Sequence, residues 1–142
     1  MRGILPVGRI IAGLLLSGVF LYAGILKLAD LASFRKALEN YHLVPPGFLP
    51  VFVYWMPWLE VCLAGSFWIP SFRRASLCGL ILLLLSFSAA VLQARWRGLN
   101  IDCGCFGSHS FDADLPWVIF RNLLLILTAL WLIKNSPAKT EV

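Results

Sequence analysis

Four apolar runs divide the chain, at about 10–28, 48–69, 75–94 and 116–133, with polar or turn-forming segments between them. Each is near the ~20 residues that a helix needs to cross hydrocarbon. Lipid offers no partner to open backbone groups, so runs of this length predict helices. The stretch from Leu80 to Leu85 has no period-2 alternation, which argues against a membrane barrel. The expected fold class is an all-α membrane protein, a four-transmembrane-helix bundle forming one polytopic domain over 1–142. Arg2 and Arg9 imitate the basic start of a signal peptide. The apolar stretch behind them exceeds the usual 7–15 residues, and no small-x-small site follows cleanly, so a retained helix is expected.

The connecting segments differ in kind. After the first run, Leu31, Phe34 and Leu38 fall on one helical face while Arg35, Lys36 and Glu39 fall elsewhere, which predicts a short interfacial helix between helices 1 and 2. Pro45, Pro46 and Gly47 end it and turn the chain back. The second connector, from Pro70 to Arg74, reads as a tight basic turn. The third, 95–115, is the longest and carries Cys103, Cys105, His109 and three aspartates. Most of the six tryptophans stand near the ends of runs, as in an interfacial aromatic belt.

Composition agrees with lipid as the solvent: 60% of residues are hydrophobic and 13% charged, against about 45–50% and about 25% in soluble domains. Among 142 residues there is no room for a separate catalytic domain. The net charge of +5 is dispersed and suits anionic headgroups. No basic stripe interleaved with aromatics remains outside the spans, so nucleic acid is not an expected partner. The 12 Lys and Arg residues divide evenly. Arg2, Arg9, Arg73, Arg74, Lys134 and Lys139 fall on one side, and Lys27, Arg35, Lys36, Arg95, Arg97 and Arg121 on the other. Charge bias therefore does not orient the bundle. A thiol pair facing an oxidising compartment places the termini in the cytoplasm and the cysteine loop in the periplasm.

Cys103-Gly104-Cys105 is the strongest chemical signal. Cysteines at i and i+2 cannot share a helix face, but in a turn their Cα atoms can approach the ~4.4–6.8 Å of a disulfide. Gly104 permits the unusual backbone of so small a ring. Loop entropy assigns that ring only about 1.6 kcal/mol, against about 3 for fifteen residues. Such a bond is a poor staple and a good candidate for exchange. Other readings are a structural disulfide or inert thiols. A metal centre is not expected, because Cys103, Cys105 and His109 supply three ligands with no obvious fourth. Cys62 and Cys78 read as buried small hydrophobes. Alternatively Cys62, two residues beyond Glu60, shuttles electrons or backs up the loop pair.

Glu60 is a carboxylate inside the second run, costly at roughly 2.5–3.5 kcal/mol and expected to face the bundle interior. Its candidate partners are Lys27 and Arg121, as a structural ion pair or as a proton relay for thiol or quinone chemistry. Pro57 is expected to break the helix just before it. Gly13 and Ser17, at small-xxx-small spacing, predict helix packing.

The residues from Tyr22 to Asp30, then Phe34 and Ala37 to Tyr41, resemble the opening of the DoxX-like membrane proteins, and Pro57-Trp58-Leu59-Glu60 with Ala64-Gly65 looks like their second helix. Asp102-Cys103-Gly104-Cys105-Phe106-Gly107 followed by Arg121-Asn122 is similar to the MauE branch. The resemblance implies a bacterial inner-membrane protein of four helices linked to redox maturation of exported proteins. That branch is associated with maturation of the disulfide-rich small subunit of methylamine dehydrogenase, beside a thioredoxin-like partner. By similarity Cys103 and Cys105 form the redox pair, with Glu60, Lys27 and Arg121 as intramembrane polar support.

The expected function is a membrane thiol–disulfide component or maturation factor. A thioredoxin-fold extracytoplasmic protein is the expected partner, an exported cysteine-rich protein the candidate substrate, and a quinone between helices near Glu60 the candidate electron acceptor. The reading from another class is a non-enzymatic membrane scaffold whose Cys-Gly-Cys loop is structural. A small-solute transporter fits less well, since no pair of broken helices occupies corresponding halves.

Overall fold

The computed structural model describes residues 4–97 and 115–135. Five helices follow in order: α1 (Ile4–Ala29), α2 (Leu31–Tyr41), α3 (Leu49–Ser66), α4 (Arg73–Trp96) and α5 (Leu115–Lys134). Four are long and apolar enough to cross a membrane, over Val7–Ala29, Leu49–Ser66, Arg73–Trp96 and Pro116–Lys134. Among the described residues there is no strand. The chain is an all-α, multi-pass membrane protein of four spanning helices and one short extra helix.

Two boundaries differ from the hydropathy pattern. The second apolar run extends to 69, but α3 stops at Ser66 and residues 67–72 form turns. Phe67 is buried in the core beyond the helix end while Trp68 and Ile69 are exposed, an apolar turn that hydropathy cannot separate from a span. Arg73 and Arg74, expected in a basic turn, instead open α4.

The spanning helices form a ring in which α1 meets α3 and α5, and α4 meets α3 and α5; α2 lies against α3. α1 approaches the turn after α3 closely at a small residue: a Cβ on Gly13 would lie 2.7 Å from the Phe67 ring. Ser17 satisfies its hydroxyl within the helix, donating to the Gly13 carbonyl at 2.8 Å. Leu16, Phe20, Phe67, Leu77, Leu80 and Leu84 anchor the core between the helices. Only 22–39% of each span is buried. The outward surface is apolar, with Leu15, Leu82 and Trp55 exposed, which is stable against hydrocarbon and unstable in water.

α2 begins where the Asp30 side chain accepts from the Ser33 backbone N–H at 3.0 Å, a helix N-cap that satisfies an otherwise unpaired donor. It ends at His42, whose left-handed backbone (φ 49°) closes the last turn. Phe34 is buried with Leu49 and Val53 of α3, and Leu31 and Leu38 pack beside them. Arg35 and Glu39 pair on the exposed face at 2.9 Å. The amphipathic spacing thus fastens α2 over the start of α3.

Candidate functional site

The inner stripe of α3 is Val53, Pro57, Glu60 and Ala64, a 4-3-4 spacing that keeps one helical face turned inward. Glu60 is therefore carried into the bundle with apolar neighbours a turn away on either side. Pro57 does not break α3, contrary to the sequence expectation; the helix runs through it. Neighbouring helices compensate for a proline inside the membrane, and here α1 closes over it. A Cβ on Gly24 would lie 3.2 Å from the Pro57 carbonyl oxygen and 2.8 Å from Val61 Cγ2.

Lys27 lies one turn beyond Gly24 on α1 and reaches back along the helix. Its Nζ donates to Glu60 Oε1 at 2.5 Å, with the two residues only 2% and 1% exposed. The ammonium also lies over two rings, 4.6 Å from the centroid of Phe87 on α4 and 5.4 Å from that of Phe34 on α2. Cation–π attraction grows when the charge is desolvated, so four helices contribute to holding one cation. Glu60 Oε2 has no hydrogen-bond partner among the described residues. Breaking a buried pair strands a charge and costs about 3–5 kcal/mol.

Arg121 enters from α5. It forms no ion pair with Glu60; Lys27 alone fills that role among the described residues. Arg121 does line, with Lys27, Glu60 and Asn122, a cavity of about 30 Å³. Its Nη2 lies 3.4 Å from Asn122 Oδ1, and Asn122 Nδ2 donates to Ser88 Oγ of α4 at 3.0 Å. Lys27, Glu60 and Arg121 thus line one small, mostly apolar space inside the bundle. A space of about 10–15 Å³ suffices for one water with polar partners.

Asn122 and Ser88 were not among the expected site residues. Their signal was an amide within an otherwise apolar span, a residue type that bonds across helices. Phe34 and Phe87 carried no such signal, because a ring over a cation reads as core. Cys103 and Cys105, the expected redox pair, lie outside the described residues, as does His109.

Cys62 and Cys78 correct another expectation. Both are exposed, not buried. Cys62 is two residues beyond Glu60, about 200° around the helix, so it must face outward when Glu60 faces in. That geometry also turns it away from the side of α3 that carries Glu60. Cys78 likewise stands between the buried Leu77 and Leu80.

A family model described as methylamine utilisation protein MauE matches residues 5–135. Similar proteins include methylamine utilization protein MauE of Methylophilus methylotrophus, 34% identical over 102 residues, or 70% of this chain and 53% of that one. The protein of that name in Methylorubrum extorquens is 33% identical, covering 82% and 64% of the two chains. The one in Paracoccus denitrificans is 28% identical, covering 84% and 65%. This chain therefore spans from about half to just under two-thirds of the length of these curated relatives. No solved structure matches it.

Proposed function

The chain belongs to the methylamine utilisation protein MauE family, and on that premise we propose that it is a membrane thiol–disulfide component that matures exported proteins. In this reading Cys103 and Cys105 are the exchanging pair, and a thioredoxin-fold protein outside the cytoplasm is the partner. The partner's thiolate attacks one sulfur of the Cys103–Cys105 disulfide, forming a mixed disulfide and releasing the other cysteine as thiolate. That thiolate then attacks the mixed disulfide, expelling the partner in its original state, or a second partner thiol resolves it and leaves both loop cysteines reduced. The relatives' names carry methylamine utilisation as the process, and maturation of a disulfide-rich methylamine dehydrogenase subunit is the proposed setting. The proposed location is the bacterial inner membrane, with termini cytoplasmic and the 95–115 connection periplasmic.

The observation that carries the reading is the buried Lys27–Glu60 pair with Arg121 beside it. An intramembrane ionisable cluster is expensive and marks function by default. Arg121 sits nearly two turns into α5, the helix that the cysteine-bearing connection enters. Glu60 gives the bundle a group able to accept and return the protons that dithiol oxidation releases.

The test is trapping in native membranes. Cys105→Ser is expected to accumulate a reducible adduct between this chain and a thiol protein, and Cys103→Ala/Cys105→Ala to abolish it together with maturation of the substrate. Full maturation by the double variant would overturn the reading in favour of a membrane scaffold with a structural loop.

A further inference from the structure

A second cavity, of about 190 Å³, lies between α2, α3 and α4. α3 and α4 touch near the turn that joins them, where Leu63 lies against Gly79 and the Ser66 and Ser76 hydroxyls meet at 2.7 Å. About two turns farther along each helix, Met56 and Phe87 line the cavity, and Phe34 and Leu38 of α2 complete its wall. Phe52 and Leu43, also in the wall, are 42% and 37% exposed, so the cavity opens sideways from the bundle.

The interior presents almost no polar surface. Lys27 reaches its edge, but the ammonium is held by Glu60, and the Ser86 hydroxyl donates to the Leu82 carbonyl at 2.8 Å. A carbonyl or a charged group would find no partner inside, and an apolar cavity of this kind excludes water. One of about 150 Å³ is enough to hold benzene, so 190 Å³ takes a segment of one hydrocarbon chain.

Charge at the rim selects the molecule that carries the chain. Phe87, Val91 and Arg95 follow one another at four-residue spacing along α4, so Arg95 continues the face whose deeper residues line the cavity. It stands about 6 Å nearer the helix end than Val91. Arg95 is exposed and enters no ion pair among the described residues. Arg35 of α2, by contrast, is paired with Glu39. Trp96, next to Arg95, is also exposed, as suits a residue at headgroup level. A guanidinium at the membrane surface just past an apolar hole matches a lipid whose charge stays outside while its chain enters.

We propose that this cavity holds one acyl chain of an anionic phospholipid, whose phosphate pairs with Arg95 at the rim. Phosphatidylcholine offers the same chains without net charge, so the cavity admits it and Arg95 discriminates against it. The site stands independently of the thiol–disulfide reading.

The experiment uses the delipidated full chain in detergent micelles, titrated with phosphatidylglycerol and, separately, with phosphatidylcholine of the same chains. Bound lipid is counted by native mass spectrometry. One phosphatidylglycerol is expected to bind saturably, about fivefold tighter than phosphatidylcholine, the worth of one surface cation. Arg95→Gln is expected to remove that preference and leave phosphatidylcholine unchanged. Ala90→Phe, which fills the cavity, is expected to weaken both lipids at least about tenfold. Ala37→Leu, a smaller intrusion into the same wall, acts in the same direction and serves if Ala90→Phe does not fold. Leu15→Phe, on the outward surface of α1, is expected to change neither lipid. Absent saturable binding, equal affinity for the two lipids, or a preference that survives Arg95→Gln would each overturn the proposal. So would unchanged binding in both cavity-filling variants, or an equal loss in Leu15→Phe.

Discussion

Gly24 of α1 faces Pro57 of α3 so closely that a Cβ there would stand 3.2 Å from the Pro57 carbonyl oxygen. This approach brings Lys27 within reach of Glu60, and it is possible because residue 24 has no side chain. Val61 Cγ2, 2.8 Å from the same point, would also have to move. Gly24→Ala is expected to destabilise the bundle by about 1–3 kcal/mol, the usual range for overpacking. Unfolding in mixed micelles measures it. Gly18, with nothing within 4 Å of its Cβ position, supplies the control, and an equal loss in Gly18→Ala would refute the packing argument.

Lys27→Met leaves Glu60 as a carboxylate without its cation in an apolar bundle. The expected loss is about 3–5 kcal/mol. Adding Glu60→Leu is expected to recover most of it, since two apolar groups remove the stranded charge. A double variant no more stable than Lys27→Met would show that the pair's value lies elsewhere than in mutual neutralisation.

Asn122 and Ser88 join α5 to α4 at 3.0 Å. Interhelical hydrogen bonds in membranes average about 0.6 kcal/mol of coupling. A double-mutant cycle of Asn122→Ala and Ser88→Ala is expected to return a coupling of about that size. Zero coupling would remove this bond from the forces aligning α5.

The Ser33 backbone N–H, with its side chain, holds the Asp30 carboxyl below its ordinary value of 3.8. A group depressed on folding contributes stability above the unfolded value and loses it as pH falls through the folded one. Protection of the α2 amides, taken relative to their intrinsic exchange rates, is therefore expected to be high at neutral pH and to fall once pH drops below 3.8 and Asp30 takes up its proton. Asp30→Asn, which keeps a capping oxygen without the titration, is expected to flatten that dependence. An unchanged pH profile in Asp30→Asn would exclude the cap as its origin.

Cys62 and Cys78 face outward from the spanning helices. Cys62→Ala and Cys78→Ala are expected to change stability by no more than about 0.5 kcal/mol, as at surface positions. A loss of about 2 kcal/mol or more in either variant, the usual size for a large-to-small change in a core, would place that thiol in the core.

Much of the site was legible because charge in an apolar run is conspicuous. Glu60, Lys27 and Arg121 could be named from their residue types alone, since each needs a partner when lipid surrounds the bundle. Which cation pairs with Glu60 was not legible: Lys27 and Arg121 both lie within plausible reach along their helices. Only the close contact of α1 with α3 decided for Lys27. The cysteines in the spans show the opposite failure. Residue type suggested burial for Cys62, whereas its angle from Glu60 required exposure, and that angle was readable once Glu60 was taken to face inward.

The sequence by itself determined the four spans, the amphipathic α2 and the residues that must carry charge into the membrane. Each follows from hydropathy and periodicity, which are properties of one segment in its solvent. The tertiary structure decided the ring order of the helices, the passage of α3 through Pro57, the pairing of Lys27 with Glu60 and the placing of Phe34 and Phe87 around the ammonium. Those outcomes depend on which small residues let two backbones approach, and contact between segments distant in the chain leaves no periodic trace in either one.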